Sequence, residues 1–454
     1  MRGNNVNRKH HVRAFAGLAV MALVAASCGS DSDSSSDTEA PAGTEAAVET
    51  TAPETTESET TEPETTESET TEPETTDGEG FLSLPAPDGD EIVVGMVNTE
   101  GSPGLDFPEI STSTKAAADF LNEHGGLGGR PIKMEFCNAN GSPETSQACA
   151  QELAGKGVEI VMLGLDLFPG YDTFTASSIP VTGVLPILPG DYTANALFLG
   201  GGNTTTTAAM AGFALENFGA KTAGIVSADN AGANGTEADL KKALDAAGIT
   251  YVSIKGGDNE TDAGFQGLMA QATADDPDVL FSLYADAGCV GTMRGRVSLG
   301  IETPVITTAI CSSAEVIDQV GDDAVGWYFI GAQTEREGTP EAADLGAVLD
   351  SLGYTNSTEL GLGALGVTGL FTLASVANSM ADGGTEVTGV SLYETLGASD
   401  GIVNWPDGNP LACGSVASIP TICYFTFPIA TYLSGDGIQT VPGFEAFDTT
   451  PYLP

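Results

Sequence analysis

From about residue 88 onward the sequence predicts an α/β protein with parallel sheets, built as two lobes and preceded by a long disordered segment. Three observations predict it. Short apolar runs alternate with stretches whose apolar residues recur at helical spacing, the pattern of right-handed βαβ crossovers. The stretch from Asp88 to Pro454 holds about 365 residues, more than one ordinary hydrophobic core supports. Residues 29–80 contain no Lys or Arg and almost no large apolar side chain, so they have nothing with which to form a core.

The chain opens with Arg2, Arg8, Lys9 and Arg13 and no acid, followed by an apolar run from Ala14 to Ala26 and then Ser27-Cys28. A basic start, a short apolar stretch and small residues before the cut site form a secretory leader over residues 1–27. The run spans about 13 residues, short of the roughly 20 a bilayer span needs. No later stretch reads as long and apolar enough to span either. Ala25-Ala26-Ser27-Cys28 resembles a bacterial lipobox, with Ala25 standing where Leu, Val or Ile is usual. The resemblance implies that Cys28 carries a diacylglycerol and becomes the new N-terminus, on the outer side of the cytoplasmic membrane.

Residues 28–87 read as a tether. Between Thr51 and Thr76 the pattern Thr-Thr-Glu-Pro/Ser-Glu repeats every five residues, and its like charges and prolines extend it. At roughly 3.1 Å per residue, some 50 residues reach on the order of 150 Å, enough for a spacer through a cell wall. Charge excludes other roles. The leader holds four of the 15 basic residues and none of the 63 acidic ones, which leaves a net charge of −52. Nucleic acid and anionic lipid surfaces repel such a chain.

Of seven cysteines, six remain beyond Cys28, and an even set in an exported chain reads as disulfides. They fall in three sequence-local pairs, Cys137 with Cys149, Cys289 with Cys311 and Cys413 with Cys423, although six cysteines allow 15 connectivities. No pair has CxxC or metal-ligand spacing, and His124 is the single His beyond the leader. No metal site and no cofactor is expected.

Strands are expected at Ile92–Val97, Ile132–Phe136, Ile160–Leu163, Val181–Leu185, Gly224–Ser227, Tyr251–Ile254, Val279–Tyr284, Val305–Thr308 and Trp327–Ile330. Helices are expected at Ser111–Glu123, with Ala116, Ala117, Phe120 and Leu121 on one face, and at Thr236–Ala247 and Ala263–Ala274.

Several stretches, in order, resemble the type I periplasmic-binding-protein fold, most closely the branched-chain amino-acid, amide or urea class of ABC-transporter solute-binding proteins. The first is Ile92-Val-Val-Gly-Met-Val97, then a polar loop, a helix and Asn122-Glu-His-Gly-Gly-Leu-Gly-Gly-Arg-Pro-Ile132, similar to the family corner N-x-x-GG-x-x-GR-x-I. The others are Cys137 through Cys149 with Ala150-Gln-Glu-Leu153 and Val158–Gly164, Phe218-Gly-Ala-Lys-Thr-Ala-Gly-Ile-Val226 followed by Asp229, Pro277-Asp-Val-Leu-Phe281, and Val325-Gly-Trp-Tyr-Phe329. The resemblance implies two doubly wound parallel-sheet lobes joined by a three-crossing hinge. Residues 88–201 and 333–412 would form the amino-terminal lobe, and 202–332 and 413–454 the carboxy-terminal one. It implies a cleft at the carboxyl ends of the strands, closing on a small molecule, and a monomer that hands it to ABC permease and ATPase subunits. A bridge between Cys289 and Cys311 would pin the cleft rim, and Cys413 and Cys423 would flank a hairpin connection.

The loops after the strands supply the candidate contacts: Asn98, Thr99, Glu100, Asp166, Leu167, Phe168 and Leu185 in the first lobe, and Asp229, Asn230, Tyr284, Asp286 and Thr308 in the second. Three features depart from the amino-acid binders of the family. The loops Leu165-Asp-Leu-Phe-Pro-Gly170 and Leu185-Pro-Ile-Leu188 lack the hydroxyls that would hold an α-carboxylate. No acid stands in Thr308-Ala-Ile-Cys-Ser312 for an α-ammonium, and Ala231-Gly232 lacks the usual aromatic. An apolar or amide-like ligand is therefore expected rather than a zwitterion.

Two rival readings are weaker. Gly397-Ala-Ser399-Asp-Gly401 matches the nucleophile-elbow pattern, but no His follows Ser399. Gly361-Leu-Gly363-Ala-Leu-Gly366 fits G-x-G-x-x-G without a strand before it and reads as close helix packing. His124, at a helix end, reads as a dipole partner. The chain is thus expected not to be an enzyme. An envelope sensor of the same fold shares every feature above.

Overall fold

The computed structural model describes residues 80–101, 106–332 and 338–453. The leader, Cys28 and the tether through residue 79 lie outside the described residues. Lobe 1 is built on a parallel five-stranded sheet of order β2-β1-β3-β4-β5, with β1 Ile92–Thr99, β2 Ile132–Ala139, β3 Ile160–Leu163, β4 Val181–Gly183 and β5 Leu197–Phe198. The central strands β1 and β3 are buried almost throughout, as their unbroken apolar sequences require when helices cover both faces. Those helices are α1 (Pro108–Leu121), α2 (Pro143–Gly155) and α3 (Tyr171–Ala176). α1 starts three residues before the expected Ser111, because Pro108 sits in its first turn, where a missing N–H costs nothing.

Lobe 2 begins with α4 (Gly202–Phe218) and repeats the same strand order. β6 (Thr222–Ala228), β7 (Thr250–Gly256), β8 (Val279–Leu283), β9 (Val305–Thr308) and β10 (Trp327–Ile330) pair in parallel as β7-β6-β8-β9-β10. α5 (Ala231–Ala247), α6 (Asp262–Ala272), α7 (Asp286–Ser298) and α8 (Ala314–Val320) connect them. The chain then returns to lobe 1 as α9 (Pro340–Leu352), α10 (Gly363–Asp382) and α11 (Gly389–Ala398). It ends in β11 (Thr426–Phe427), β12 (Ile429–Leu433), β13 (Gly437–Thr440) and β14 (Phe447–Asp448). β12 and β13 extend the lobe 2 sheet antiparallel, beyond β10.

α10 has 20 residues with a single charge, Asp382, so in length and composition it does pass for a membrane span, contrary to the sequence expectation. Its surface is spent on lobe 1 instead. Leu370, Phe371, Leu373, Ala374 and Ala377 are wholly buried, and Phe371 lies between Phe81, Phe120 and Trp405 at ring distances of 5.1, 5.5 and 4.3 Å. Two glycines of the 361–366 motif bring α10 onto α1: a Cβ at Gly363 would stand 2.4 Å from Ser113 Oγ, and one at Gly366 2.1 Å from Thr114 Oγ1.

Two expected boundaries move. The tether was expected to run to residue 87, yet the chain is already docked at Gly80. Phe81 is buried in the lobe 1 core, and its N–H and that of Leu82 donate to the Asp344 carboxylate at 2.8 and 2.9 Å. Phe81 anchors the link, with Leu84 packed on the same core, because Phe371 and Asp344 meet its ring and its backbone. The last change of lobe falls after Phe425 rather than at 413. Phe198 N–H donates to Thr421 O, Cys423 N–H to Phe198 O, and Ile419, Ile422 and Phe425 are buried in a lobe 1 cluster.

Candidate functional site

Both sheets reverse strand order between their first and third strands, and open α/β sheets bind ligands at the carboxyl ends beside such a reversal. The crossings lie at the same ends. The chain leaves lobe 1 directly after β5 and lobe 2 after β10, whose onward segment 333–337 lies outside the described residues.

In lobe 1 the switch point lies between β1 and β3, and it brings Asn98, Thr99, Glu100 and Asp166 together. Asn98 is buried and works as a loop organiser: its Nδ2 donates to Phe107 O at 2.8 Å and its Oδ1 accepts the Leu165 N–H at 3.0 Å. Gly164 has no room for a side chain, since a Cβ there would stand 2.6 Å from Asn98 Oδ1. Glu100 is half-buried and accepts from Ser111 Oγ at 2.5 Å and Asn138 Nδ2 at 2.8 Å. Thr99 is buried with an unpartnered hydroxyl.

Asp166 is 2% exposed, accepts from Ser146 Oγ at 2.5 Å and Phe168 N–H at 3.2 Å, and leaves Oδ2 without a partner. Burial pushes its carboxyl above the usual range, against those two hydrogen bonds. Leu167 and Leu185 are half-buried, while Phe168 is 39% and Leu188 37% exposed. Lobe 1 thus presents apolar side chains over a buried acidic layer.

Lobe 2 offers a different surface. Asn230 is the N-cap of α5: its side chain accepts the Ala233 N–H at 2.9 Å and donates to Asp258 at 2.6 Å. Asp229 and Asp286 are exposed at the starts of α5 and α7, and Thr308 is half-buried at the end of β9. Tyr284, a candidate contact expected at the end of β8, has its ring turned inward. Its ring meets Phe265 edge-on at 5.5 Å, its hydroxyl is buried without a partner, and burial raises its pKa to about 12. The small residue Gly288 one turn into α7 leaves the space that draws it in.

Three residues escaped the sequence reading. Ile310, 49% exposed just past β9, adds an apolar side chain on the lobe 2 side. Tyr171 and the buried Asp191 join the two apolar loops of lobe 1 through a 2.7 Å hydrogen bond. The signal for Asp191 was the Pro189-Gly190-Asp191 turn, which reads from sequence as an ordinary loop tip.

The structure bonds Cys137 to Cys149, Cys289 to Cys311 and Cys413 to Cys423. The last pair closes an irregular loop against β5 rather than a strand hairpin. Ser399 is the C-cap of α11, its Oγ donating to Leu396 O and accepting the Cys413 N–H, with a helix and not a strand before it. Two surface depressions lie on the outside of lobe 2, one along α6 and α7 and one at the amino ends of β6 and β7, and neither touches the carboxyl-end residues. No group of three or more metal-ligating side chains is assembled among the described residues.

A family model described as a periplasmic binding protein matches residues 91–405. A Leu/Ile/Val-binding protein homologue of Brucella melitensis is 24% identical over 279 residues, which cover 58% of this chain and 73% of that protein. Among solved structures, a branched-chain amino acid ABC transporter protein of Rhodospirillum rubrum covers 77% of this chain and 100% of its own at a TM-score of 0.61 and 13% identity. An ABC-transporter solute-binding protein of Rhodopseudomonas palustris, solved with 3,4-dihydroxybenzoic acid, covers 80% and 98% at a TM-score of 0.58 and 16% identity.

Proposed function

This chain belongs to the periplasmic binding protein family, and from that premise we propose that it is an extracytoplasmic lipoprotein, anchored through Cys28, that captures a small molecule between its lobes and delivers it to an ABC importer. One observation carries the reading. Two sheets of the same strand order are joined by crossings at their carboxyl ends, where the loops of both lobes converge on the hinge. Closure about such crossings buries a ligand between loop sets that each lobe holds ready.

The ligand we infer is a small apolar acid or amide, aromatic acids included, rather than a zwitterionic amino acid. Phe168, Leu188 and Ile310 supply exposed apolar surface at the carboxyl ends, and the buried Asp166 behind them disfavours an α-carboxylate at that wall. The start of α5 carries the positive end of its helix dipole on the lobe 2 side, which favours a carboxylate there. Isothermal titration of the full chain with 4-hydroxybenzoate and with L-leucine tests this. Micromolar binding of the benzoate without leucine binding is expected. Micromolar or tighter leucine binding would remove the ligand assignment and leave the family membership intact.

A further inference from the structure

We propose that Asp191 is a positioning residue of the ligand wall: its carboxylate fixes the two lobe 1 loops that present Phe168 and Leu188, and so sets which ligand shapes that wall accepts. This role rests on the interlobe cleft being the ligand site. Asp191 is 3% exposed, and no Lys or Arg pairs with it among the described residues. A buried carboxylate without a cation persists only when hydrogen bonds saturate it. Here Oδ2 accepts the N–H groups of Ile187 and Leu188, both at 2.8 Å, and Oδ1 accepts the Tyr171 hydroxyl at 2.7 Å.

The donors come from the loop after β4 and from the helix start that anchors the loop after β3. Ile187 and Leu188 lie in the loop after β4, and Tyr171 is the first residue of α3, directly after the loop that follows β3. Leu188 O in turn accepts the Asp191 N–H at 2.9 Å, closing the turn on itself. Asp166 repeats the device in the other loop, since it accepts the N–H of Phe168. Each exposed apolar side chain of the wall therefore has its own backbone N–H tied to a buried aspartate, and Tyr171 ties the two loops to each other. The wall is thereby set in place before ligand arrives, which lowers the ordering cost of binding.

Hydrogen exchange and titration calorimetry on the full chain and its D191N and Y171F variants test the role, with 4-hydroxybenzoate and L-leucine as probes. In D191N the amides of Ile187 and Leu188 should exchange about tenfold faster while those of β3 and β4 keep their protection. Affinity for the probe that the unaltered chain binds should fall about tenfold, with the unfolding midpoint little changed. Y171F, which keeps the carboxylate and both backbone hydrogen bonds, should show the affinity loss at about threefold, and it carries the test if D191N does not fold. Unchanged exchange at Ile187 and Leu188, or loosened loops with undiminished probe affinity, would overturn the proposal. If the unaltered chain binds neither probe, the ligand assignment made above fails, and the exchange result alone decides whether Asp191 fixes the loops.

Discussion

In lobe 1 the turns beyond β3 and β4 end in exposed apolar side chains whose backbones are held by buried aspartates, whereas in lobe 2 the turns beyond β6 and β8 lead into helix N-termini with polar residues at their tips. The strand order is the same in both. One topology has therefore been finished in two ways, and the difference teaches where each part of an affinity would come from. On the proposed function, apolar area on Phe168 and Leu188 would contribute without direction, at roughly 25 cal/mol per Å² removed from water. Capped helix starts and backbone N–H groups contribute little area but fix orientation. The cores differ too. Lobe 1 is closed by α10 lying on α1 through glycines, while lobe 2 carries a buried charged clamp between α5 and β7.

The largest expected effect separates the lobes by their cores. Gly366→Val places a branched side chain against Thr114 Oγ1, which a bare Cβ would already approach to 2.1 Å. It should destabilise lobe 1 by about 3 kcal/mol, read as a lowered calorimetric transition, and should leave exchange protection in β6 and β8 unchanged. A protein-wide loss of protection would mean that the lobes unfold as one and would blunt the comparison.

Next is Glu237, which is buried and bonded to Lys241, Lys255 and Ser253. Burial alone would raise its pKa, but the hydrogen bonds to Lys241, Ser253 and Lys255 together bring it down to about 2. Because the folded value lies below the ordinary 4.5, the stabilisation is complete above about pH 4.5 and is lost as pH falls toward 2. Glu237→Gln should cost about 2 kcal/mol at pH 7 and progressively less below pH 4.5, checked by urea denaturation across that range.

Smaller effects address the two cleft surfaces. Phe168→Ala and Leu188→Ala should each weaken ligand binding about tenfold while changing stability by no more than about 0.5 kcal/mol, because both side chains are substantially exposed. Equal loss of affinity and stability would assign them to packing instead. Asn230→Ala removes the cap of α5 and should cost about 1 kcal/mol, seen as faster exchange in its first turn.

Much of the fold was legible because it is written in apolar runs. All nine expected strands lie where the runs placed them, and the central ones do so because a strand buried on both faces has to be continuously apolar. Helix starts were less legible: α5 begins five residues before the expected Thr236, because Gly and Asn obscure its pattern and the Asn230 cap compensates. The short buried link at Phe81 was missed, because Phe81-Leu82-Ser83-Leu84 is too short to show a period and follows directly on the acidic repeat. At the site, position was legible and orientation was not. Sequence placed Tyr284 at the end of β8, but only packing shows the ring turning toward Phe265. Asp191 was invisible for the converse reason. A Pro-Gly-Asp turn looks solvent-exposed until the Tyr171 hydroxyl and two N–H groups are seen converging on it.

On the proposed function, the lobes close on one small molecule held against an apolar lobe 1 wall. Native mass spectrometry of the full-length protein, purified without denaturation and then stripped for identification of any adduct, tests it most directly. One molecule per chain, apolar and without an α-amino group, is the predicted result, and it should disappear in the Phe168→Ala, Leu188→Ala double variant. A branched-chain amino acid in that position, or an adduct indifferent to both substitutions, would contradict the account.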